Sequence, residues 1–147
     1  MEKGQLKLSF GMIFSIILII IFISFAFYAI QKFLGMQRAI QVGQFIDDLQ
    51  SDVDKLWKGV QGSQEVEYTL PKKIKRICFK DDEYENMFFY PEGSFEGFNS
   101  IEIKHIDIKK ITKEKNPFCI ENTNGKIKII IKKDYGEELV TLVENKK

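Results

Sequence analysis

The hydrophobic pattern of this chain opens with an uncharged apolar run, residues 8–30. Of its 23 residues, 15 are Ile, Leu or Phe. As an α-helix the run would extend roughly 34 Å, which is about the thickness of the hydrocarbon core of a bilayer. Side chains of these types favour insertion at mid-membrane. The run therefore predicts a single transmembrane helix, which we place at residues 5–30.

Two other interpretations of the apolar run compete with a membrane span. A secretory signal peptide has an apolar region of only about 7 to 15 residues. The one passable cleavage pattern, Ser24-Phe25-Ala26, also lies inside the run. A buried helix of a soluble protein would need a surrounding core larger than 147 residues can build. The span is the interpretation that we retain.

Beyond residue 38 the hydrophobic positions recur at alternating spacings of three and four. Such a spacing gives a helix one narrow apolar stripe. No proline occurs from Met1 to Gly62, so we expect the helix to continue from the span into an amphipathic stalk, residues 31–62. The members of the stripe are Ala39, Val42, Ile46, Leu49, Val53, Leu56 and Val60.

The stripe has two candidate partners, the chain's own β domain and other copies of the chain in an assembly. Phe45 and Trp57 widen the stripe, which fits a helix lying on a sheet better than a two-stranded coiled coil. We expect packing on the chain's own domain, together with contacts between copies that make the protein a homo-oligomer.

Residues 63–147 show the period of two and the turn residues that are typical of β-strands. Strands are predicted at residues 66–70, 74–79 and 87–90, and Pro71 ends the first of them. In residues 101–111 the apolar positions change phase at Lys104-His105. This slip indicates a bulge or a break between two strands.

Two hairpins complete the prediction for this part of the chain. Asn124-Gly125 lies between the apolar runs 118–121 and 126–132, and Asn-Gly is the strongest short-range hairpin signal. Residues 134–136 predict a second turn, which leads into a strand at residues 139–143. Six or seven short strands predict a small antiparallel β domain, a sandwich or an open barrel, at residues 63–147. The expected fold class is α+β, with the long N-terminal transmembrane and amphipathic helix packed on this domain.

Charge and motif content narrow the range of functions. The 22 basic and 21 acidic residues are interspersed, so no basic face of the kind that binds nucleic acid stands out. The single histidine, His105, excludes sites that need two imidazoles, and we expect it to be structural or solvent-facing. The acidic residues Asp81, Asp82, Glu83 and Glu85 match no EF-hand loop, so we expect a solvated loop rather than a calcium site. The sequence contains no phosphate-binding glycine loop, nucleophile elbow or Cys-x-x-Cys, and we expect neither an enzyme nor a cofactor.

Cys78 and Cys119 are the only cysteines, and each lies in an apolar strand context. An even count in a small domain favours a disulfide, which would close a loop of about 40 residues. The alternative is two buried free thiols, which are common in protein cores. We expect the bridge, which agrees with an extracytoplasmic domain.

The charges that flank the apolar run do not orient it in a membrane. Lys3 and Lys7 on one side are matched by Lys32 and Arg38 on the other. The expected orientation, with the N-terminus cytoplasmic and the C-terminal domain extracytoplasmic, therefore depends on the cysteine pair and on the N-terminal residues.

Glu2-Lys3-Gly4-Gln5, followed almost at once by a long hydrophobic helix, resembles the class III signal peptide of type IV pilin-like proteins. The resemblance is strongest to the archaeal form, in which cleavage follows Lys-Gly and precedes Gln. It implies a leader of residues 1–4 that a prepilin peptidase removes by cutting between Gly4 and Gln5. The family also implies a retained hydrophobic helix, an amphipathic stalk and a β-rich head. This chain has Ser9 at the fifth mature position, where many pilins carry Glu.

Two functional hypotheses follow. The first is a pilin-like structural subunit, major or minor, of an archaeal-type surface filament or related envelope apparatus, with other pilin-like subunits as partners. The second is a permanently anchored bitopic protein whose extracytoplasmic β domain binds a partner in an envelope complex. Cleavage after Gly4 separates the two hypotheses.

Overall fold

The computed structural model describes residues 9–94, 97 and 100–146. It divides the chain into two compact units, Met1–Gly35 and Met36–Lys147. Helix α1, Phe10–Lys58, contributes to both units. We call its residues 10–35 the apolar segment and its residues 36–58 the stalk.

In the first unit, the apolar segment is helical throughout, and its side chains are exposed. Its two serine hydroxyls find partners on the same helix. The Ser15 hydroxyl donates to the carbonyl of Gly11 at 2.8 Å, and the Ser24 hydroxyl donates to the carbonyl of Ile20 at 2.9 Å. Such bonds to the preceding turn leave the helix surface almost without unsatisfied polar groups.

The second unit contains the stalk, seven strands and one short helix. All strand pairs are antiparallel, and the strands form two sheets, with the orders β1-β6-β7 and β4-β3-β2-β5. This arrangement confirms the predicted α+β fold, a long helix packed on a small antiparallel β domain. The elements are β1 Gly62–Thr69, β2 Arg76–Phe79, β3 Met87–Tyr90, β4 Ser100–Ile101, α2 Ile108–Ile111, β5 Phe118–Glu121, β6 Lys126–Lys133 and β7 Thr141–Glu144.

One hydrophobic core joins the stalk to both sheets. Phe45 of the stalk contacts Tyr68 of β1 edge-on, with 5.3 Å between ring centroids, and Phe89 of β3 at 6.3 Å. Such edge-to-face contacts are favourable beyond the area that they bury. Because β1 and β3 belong to different sheets, the helix closes the space between them.

The stalk helix ends earlier than the sequence predicts. It stops at Lys58, and Gly59 follows. The Lys133 ammonium group donates to the carbonyls of Trp57 and Gly59 at 2.8 and 2.9 Å, so a strand residue satisfies the open end of the helix. Val60, the last member of the predicted stripe, consequently lies outside the helix with 69% of its surface exposed.

The second of the two strands predicted in residues 101–111 is absent from the structure. β4 covers only Ser100–Ile101, and residues 108–111 form helix α2 instead. The Asp107 side chain accepts a hydrogen bond from the backbone N–H of Lys110 at 3.0 Å, which is the geometry of a helix N-cap. The chain does break at Lys104-His105, and Ile106 forms one parallel bridge with Val140.

The Asn124-Gly125 turn forms, but the strands beside it do not pair as a hairpin. Both residues have positive φ, 55° and 86°, as a two-residue turn of this kind requires. Thr123 and Lys126 exchange two backbone hydrogen bonds across the turn. Beyond them β5 joins β2 while β6 joins β1 and β7, so the turn connects the two sheets. The second predicted hairpin is present, since β6 and β7 pair directly.

Candidate functional site

The stalk stripe packs on the chain's own β domain. Val42, Leu49 and Val53 have no exposed surface, and Phe45 is buried with them. Ile46 and Leu56 are partly buried against the same core, and Ala39 is half-buried. The intramolecular partner that we expected is therefore the observed one, and the contacts between copies remain a prediction.

The apolar segment differs from the stalk because no side chain in it is buried. By length and composition it is a candidate for a single membrane span. A helix that is apolar on all sides needs an apolar environment on all sides. Within residues 9–35 the protein itself does not supply that environment.

Cys78 and Cys119 are joined by a disulfide, as the pair of cysteines predicts. The two residues lie directly opposite each other on β2 and β5. The bridge therefore fastens the edge strand β5 to its sheet and closes a segment with a sequence separation of 41. It belongs to the second unit.

His105 takes part in a set of contacts that the sequence does not reveal, and we call this set the clasp. Its members are Gln50, Asp54, Trp57, Lys104 and His105. Its ring stacks on Trp57, with 3.7 Å between centroids and 5° between planes. Its Nδ1 lies 2.8 Å from an Asp54 carboxylate oxygen. Gln50 reinforces the contact, because its side chain accepts from the N–H of Lys104 at 2.8 Å and donates to the carbonyl of the same residue at 3.2 Å. The end of the stalk is thus fixed to the loop before α2.

Contacts of the stalk shift the pKa values of Asp54, which lies on the stalk, and of Tyr68, which lies on β1. The hydrogen bond from His105 is the main cause that lowers the pKa of Asp54, and Gln50 adds to the effect. Burial raises the pKa of Tyr68, and its hydrogen bond to Asp52, 2.7 Å long, raises it further. The Tyr68 hydroxyl therefore keeps its proton and serves as a permanent donor to the stalk.

The acidic loop after β2 is organised by its own backbone. Asp82 accepts hydrogen bonds from the N–H groups of Tyr84 and Glu85, at 3.0 and 3.1 Å, and these bonds lower its pKa. Within residues 9–94, 97 and 100–146, no three His, Cys, Asp or Glu side chains are grouped as a metal site.

The predicted site residues are not brought together. The cleavage pair Gly4 and Gln5 lies outside the described residues. The disulfide and the stalk stripe belong to the second unit. The sequence did not predict the His105 clasp, in which stalk residues contact loop residues more than 45 positions later in the chain. The group of basic side chains after β1 was not predicted either. The run Pro71-Lys72-Lys73-Ile74-Lys75-Arg76, with four basic residues in six, could have indicated it.

Comparison with known proteins gives no relative from which a function could be transferred. No family model matches the chain, and neither a curated protein nor a solved structure is significantly similar to it.

Proposed function

We propose that this protein is a pilin-like structural subunit of an archaeal-type surface filament or of a related envelope apparatus. In this proposal the apolar segment holds the subunit in the membrane before assembly and packs on apolar helices of other subunits afterwards. Apolar helix neighbours can replace lipid at little cost, because both surroundings are equally apolar.

One observation carries the proposal: a single helix, Phe10–Lys58, has two halves with different surroundings. The stalk is buried on its own β domain, whereas the apolar segment has no protein partner within its unit. A subunit that must pass from lipid to an assembly needs a domain that is already folded and a helix that is still free. The Lys3-Gly4-Gln5 sequence supplies the resemblance that points to pilins in particular.

The alternative proposal is a permanently anchored bitopic protein whose β domain binds a partner in the cell envelope. The same exposed apolar segment supports it, because a permanent span also has no protein partner. The two proposals differ in what happens between Gly4 and Gln5.

Intact-mass measurement of the protein from its native host tests the leading proposal. We expect a mature chain that begins at Gln5, together with the further loss of ammonia if that glutamine cyclises. Gly4→Phe should leave the precursor in the membrane, because the insertion signal lies downstream, but should block cleavage. Leu6→Phe is the control, since it places the same side chain downstream of the scissile bond and leaves Gly4 unchanged. A native chain that retains residues 2–4 in cells with an active prepilin peptidase would refute the pilin proposal and favour the anchored one.

A further inference from the structure

The second unit has two distinguishable ends along the stalk. We call the end at which the stalk begins, at Met36, the proximal end. Phe45, early in the stalk, contacts Tyr68 near the end of β1 and Phe89 near the end of β3. β1 and β3 therefore run toward the proximal end, and β2, which is antiparallel to β3, starts there.

Contacts later in the stalk define the opposite, distal end. Gln50 binds the backbone of Lys104. The preceding residue, Ile103, exchanges two hydrogen bonds with the side chain of Asn86, just before β3 begins. The loop between β2 and β3 is therefore distal, and the loop between β1 and β2 is proximal.

The proximal loop, residues 71–75, carries three lysines on a fixed backbone, and we call it the basic loop. Ile74 is fully buried, and its N–H donates to the carbonyl of Pro71 at 3.0 Å. The Asn122 side-chain amide donates to the carbonyls of Pro71 and Ile74 at 3.1 and 2.7 Å. The N–H of Lys75 donates to the carbonyl of Tyr90 at 2.8 Å. With its backbone held at both ends, the loop presents its lysines outward.

Among the described residues, the lysines of the basic loop have no internal counterion. Lys72, Lys73 and Lys75 are exposed, and in the described part of the chain none forms an ion pair. The neighbouring cations differ, because Arg76 pairs with Glu121 at 3.6 Å and Lys126 pairs with Glu67 at 2.7 Å.

Arg38 adds a fourth cation at the proximal end. It lies one helical turn before Val42, on the face of the stalk that turns toward the β domain, and it is half-buried. Glu92, which follows β3, is an exposed carboxylate at this end without an ion pair among the described residues. Arg38 and the three lysines of the basic loop thus supply four cations that form no ion pair among the described residues.

The loop between β2 and β3, at the distal end of the same sheet, has the opposite charge. It carries Asp81, Asp82, Glu83 and Glu85, of which Asp82 pairs with Lys80. An anionic surface would therefore attract the proximal end and repel this distal loop. The opposite charges of these two loops favour an orientation with the basic loop toward such a surface.

We propose that the basic loop and Arg38 bind the anionic lipid headgroups of the membrane in which the apolar segment is anchored. The inference rests on the membrane anchorage of the proposed function, and it is independent of cleavage and filament assembly. Anchorage keeps the basic loop at a high effective concentration near the headgroups. Each Lys or Arg close to an anionic bilayer strengthens binding about fivefold, and the attraction fades within a Debye length of about 10 Å.

The experiment uses full-length protein reconstituted in vesicles of phosphatidylcholine, with and without phosphatidylglycerol. An amine-acetylating reagent labels exposed lysines, and mass spectrometry measures the rate at each site. Lys109 and Lys113, exposed on and after α2 on the distal side, are internal references in the same molecules. We expect phosphatidylglycerol to slow acetylation of Lys72, Lys73 and Lys75 at least about fivefold relative to these references. High salt should remove the protection.

A pair of matched variants tests the role of the loop. In Lys72→Gln/Lys73→Gln the protection of Lys75 should fall to the value found in phosphatidylcholine alone. In the control Lys113→Gln/Lys115→Gln, which keeps Lys109 as the reference, it should remain. Both substitutions replace exposed side chains without ion pairs among the described residues, and the reference labelling pattern reports whether the domain is folded.

Three results would overturn the inference. Equal acetylation rates in the two kinds of vesicle would refute headgroup binding by the basic loop and would leave the membrane anchorage untouched. Protection that depends on the protein density in the vesicle instead of the lipid charge would also refute it. That result would show that the basic loop binds the acidic loop between β2 and β3 of a second copy. Failure of the protein to float with the vesicles would refute the anchorage itself, and this inference would fail with it.

Discussion

The two regions of helix α1 have the same secondary structure and opposite surroundings. In the stalk, Val42, Leu49 and Val53 have no exposed surface, while residues 10–34 of the apolar segment are all exposed. Their hydrophobic patterns account for the difference. The stalk confines its apolar residues to one stripe, which one partner surface can cover, whereas the apolar segment distributes them all round.

The comparison shows that hydrophobic content alone does not say what a helix packs against. A stripe needs a partner on one side, and the β domain provides it. An all-round apolar surface needs a continuous apolar medium, and the described residues of the first unit contain no protein surface of that kind. The same substitution should therefore have different consequences in the two regions.

The largest expected effect comes from Leu49→Asp. The change removes a fully buried side chain and places an unpaired carboxylate in the core, which should cost about 3–5 kcal/mol of domain stability. Thermal unfolding of the full chain in detergent, followed by near-ultraviolet circular dichroism, measures the loss. If the variant does not fold, Leu49→Ala provides the same comparison at the lower end of that range.

Leu18→Asp is the matched change in the apolar segment. It should leave the melting temperature of the β domain unaltered in detergent, because Leu18 belongs to the first unit and is not a member of that core. It should instead reduce the fraction of protein that resists carbonate extraction, since an aspartate at mid-membrane costs roughly 2.5–3.5 kcal/mol. The contrast between the two regions would be refuted if Leu49→Asp and Leu18→Asp both lowered the melting temperature, or both reduced resistance to carbonate extraction.

Loss of the disulfide should have an effect comparable to that of Leu49→Asp, and it should act on one region only. Replacing Cys78 and Cys119 by Ala removes a cross-link with a sequence separation of 41. The chain-entropy model predicts a loss of about 4 kcal/mol for a loop of this size. The melting temperature of the β domain should fall, while the helical signal of the apolar segment in detergent persists. Two titratable thiols in freshly purified native protein would contradict the bridge.

Features with local causes were predictable from the sequence, and features with distant partners were not. Asn124-Gly125 turns because both residues accept positive φ, and the pattern Leu49, Val53 and Leu56 faces the core because helix geometry fixes its direction. The sequence does not say which strand pairs with which, so β5 and β6 looked like a hairpin although they join different sheets.

The candidate site shows the same limit. The cysteine pair was predictable because there were only two candidates. The contact between Asp54 and His105 in the clasp joins residues 51 positions apart. The sequence pattern around either residue does not indicate this contact. In residues 106–111 the isoleucines suggested a strand, but the capping bond of Asp107 favours a helical turn over a weakly paired edge.

The smallest expected effect concerns acid stability within the stalk. Because the pKa of Asp54 is lowered in the folded protein, its contribution to stability is present above its ordinary pKa of 3.8 and is lost as the pH falls through the lower folded value. Solvent reaches 36% of the side chain, so screening limits the contribution to roughly 0.5 kcal/mol.

Asp54→Asn should therefore lower the melting temperature slightly at pH 6 and hardly at all near pH 2. Asp47→Asn, which changes an exposed stalk residue without an ion pair in the described part of the chain, is the control. Scanning calorimetry at the two pH values measures both. Equal losses at the two pH values would show that the Asp54 carboxylate charge contributes nothing.

The cap that Lys133 places on the end of the stalk has a consequence for the order of folding. The ammonium group reaches carbonyls 76 and 74 positions earlier in the chain, so the last turn of the helix is completed only after β6 has docked. During synthesis the stalk emerges long before that strand does. We expect its final turn to stay frayed until then, and its amides to exchange with solvent water at the rate of β6 undocking in the finished protein. The far end of the helix is thus the last part to become ordered, although it is made among the first.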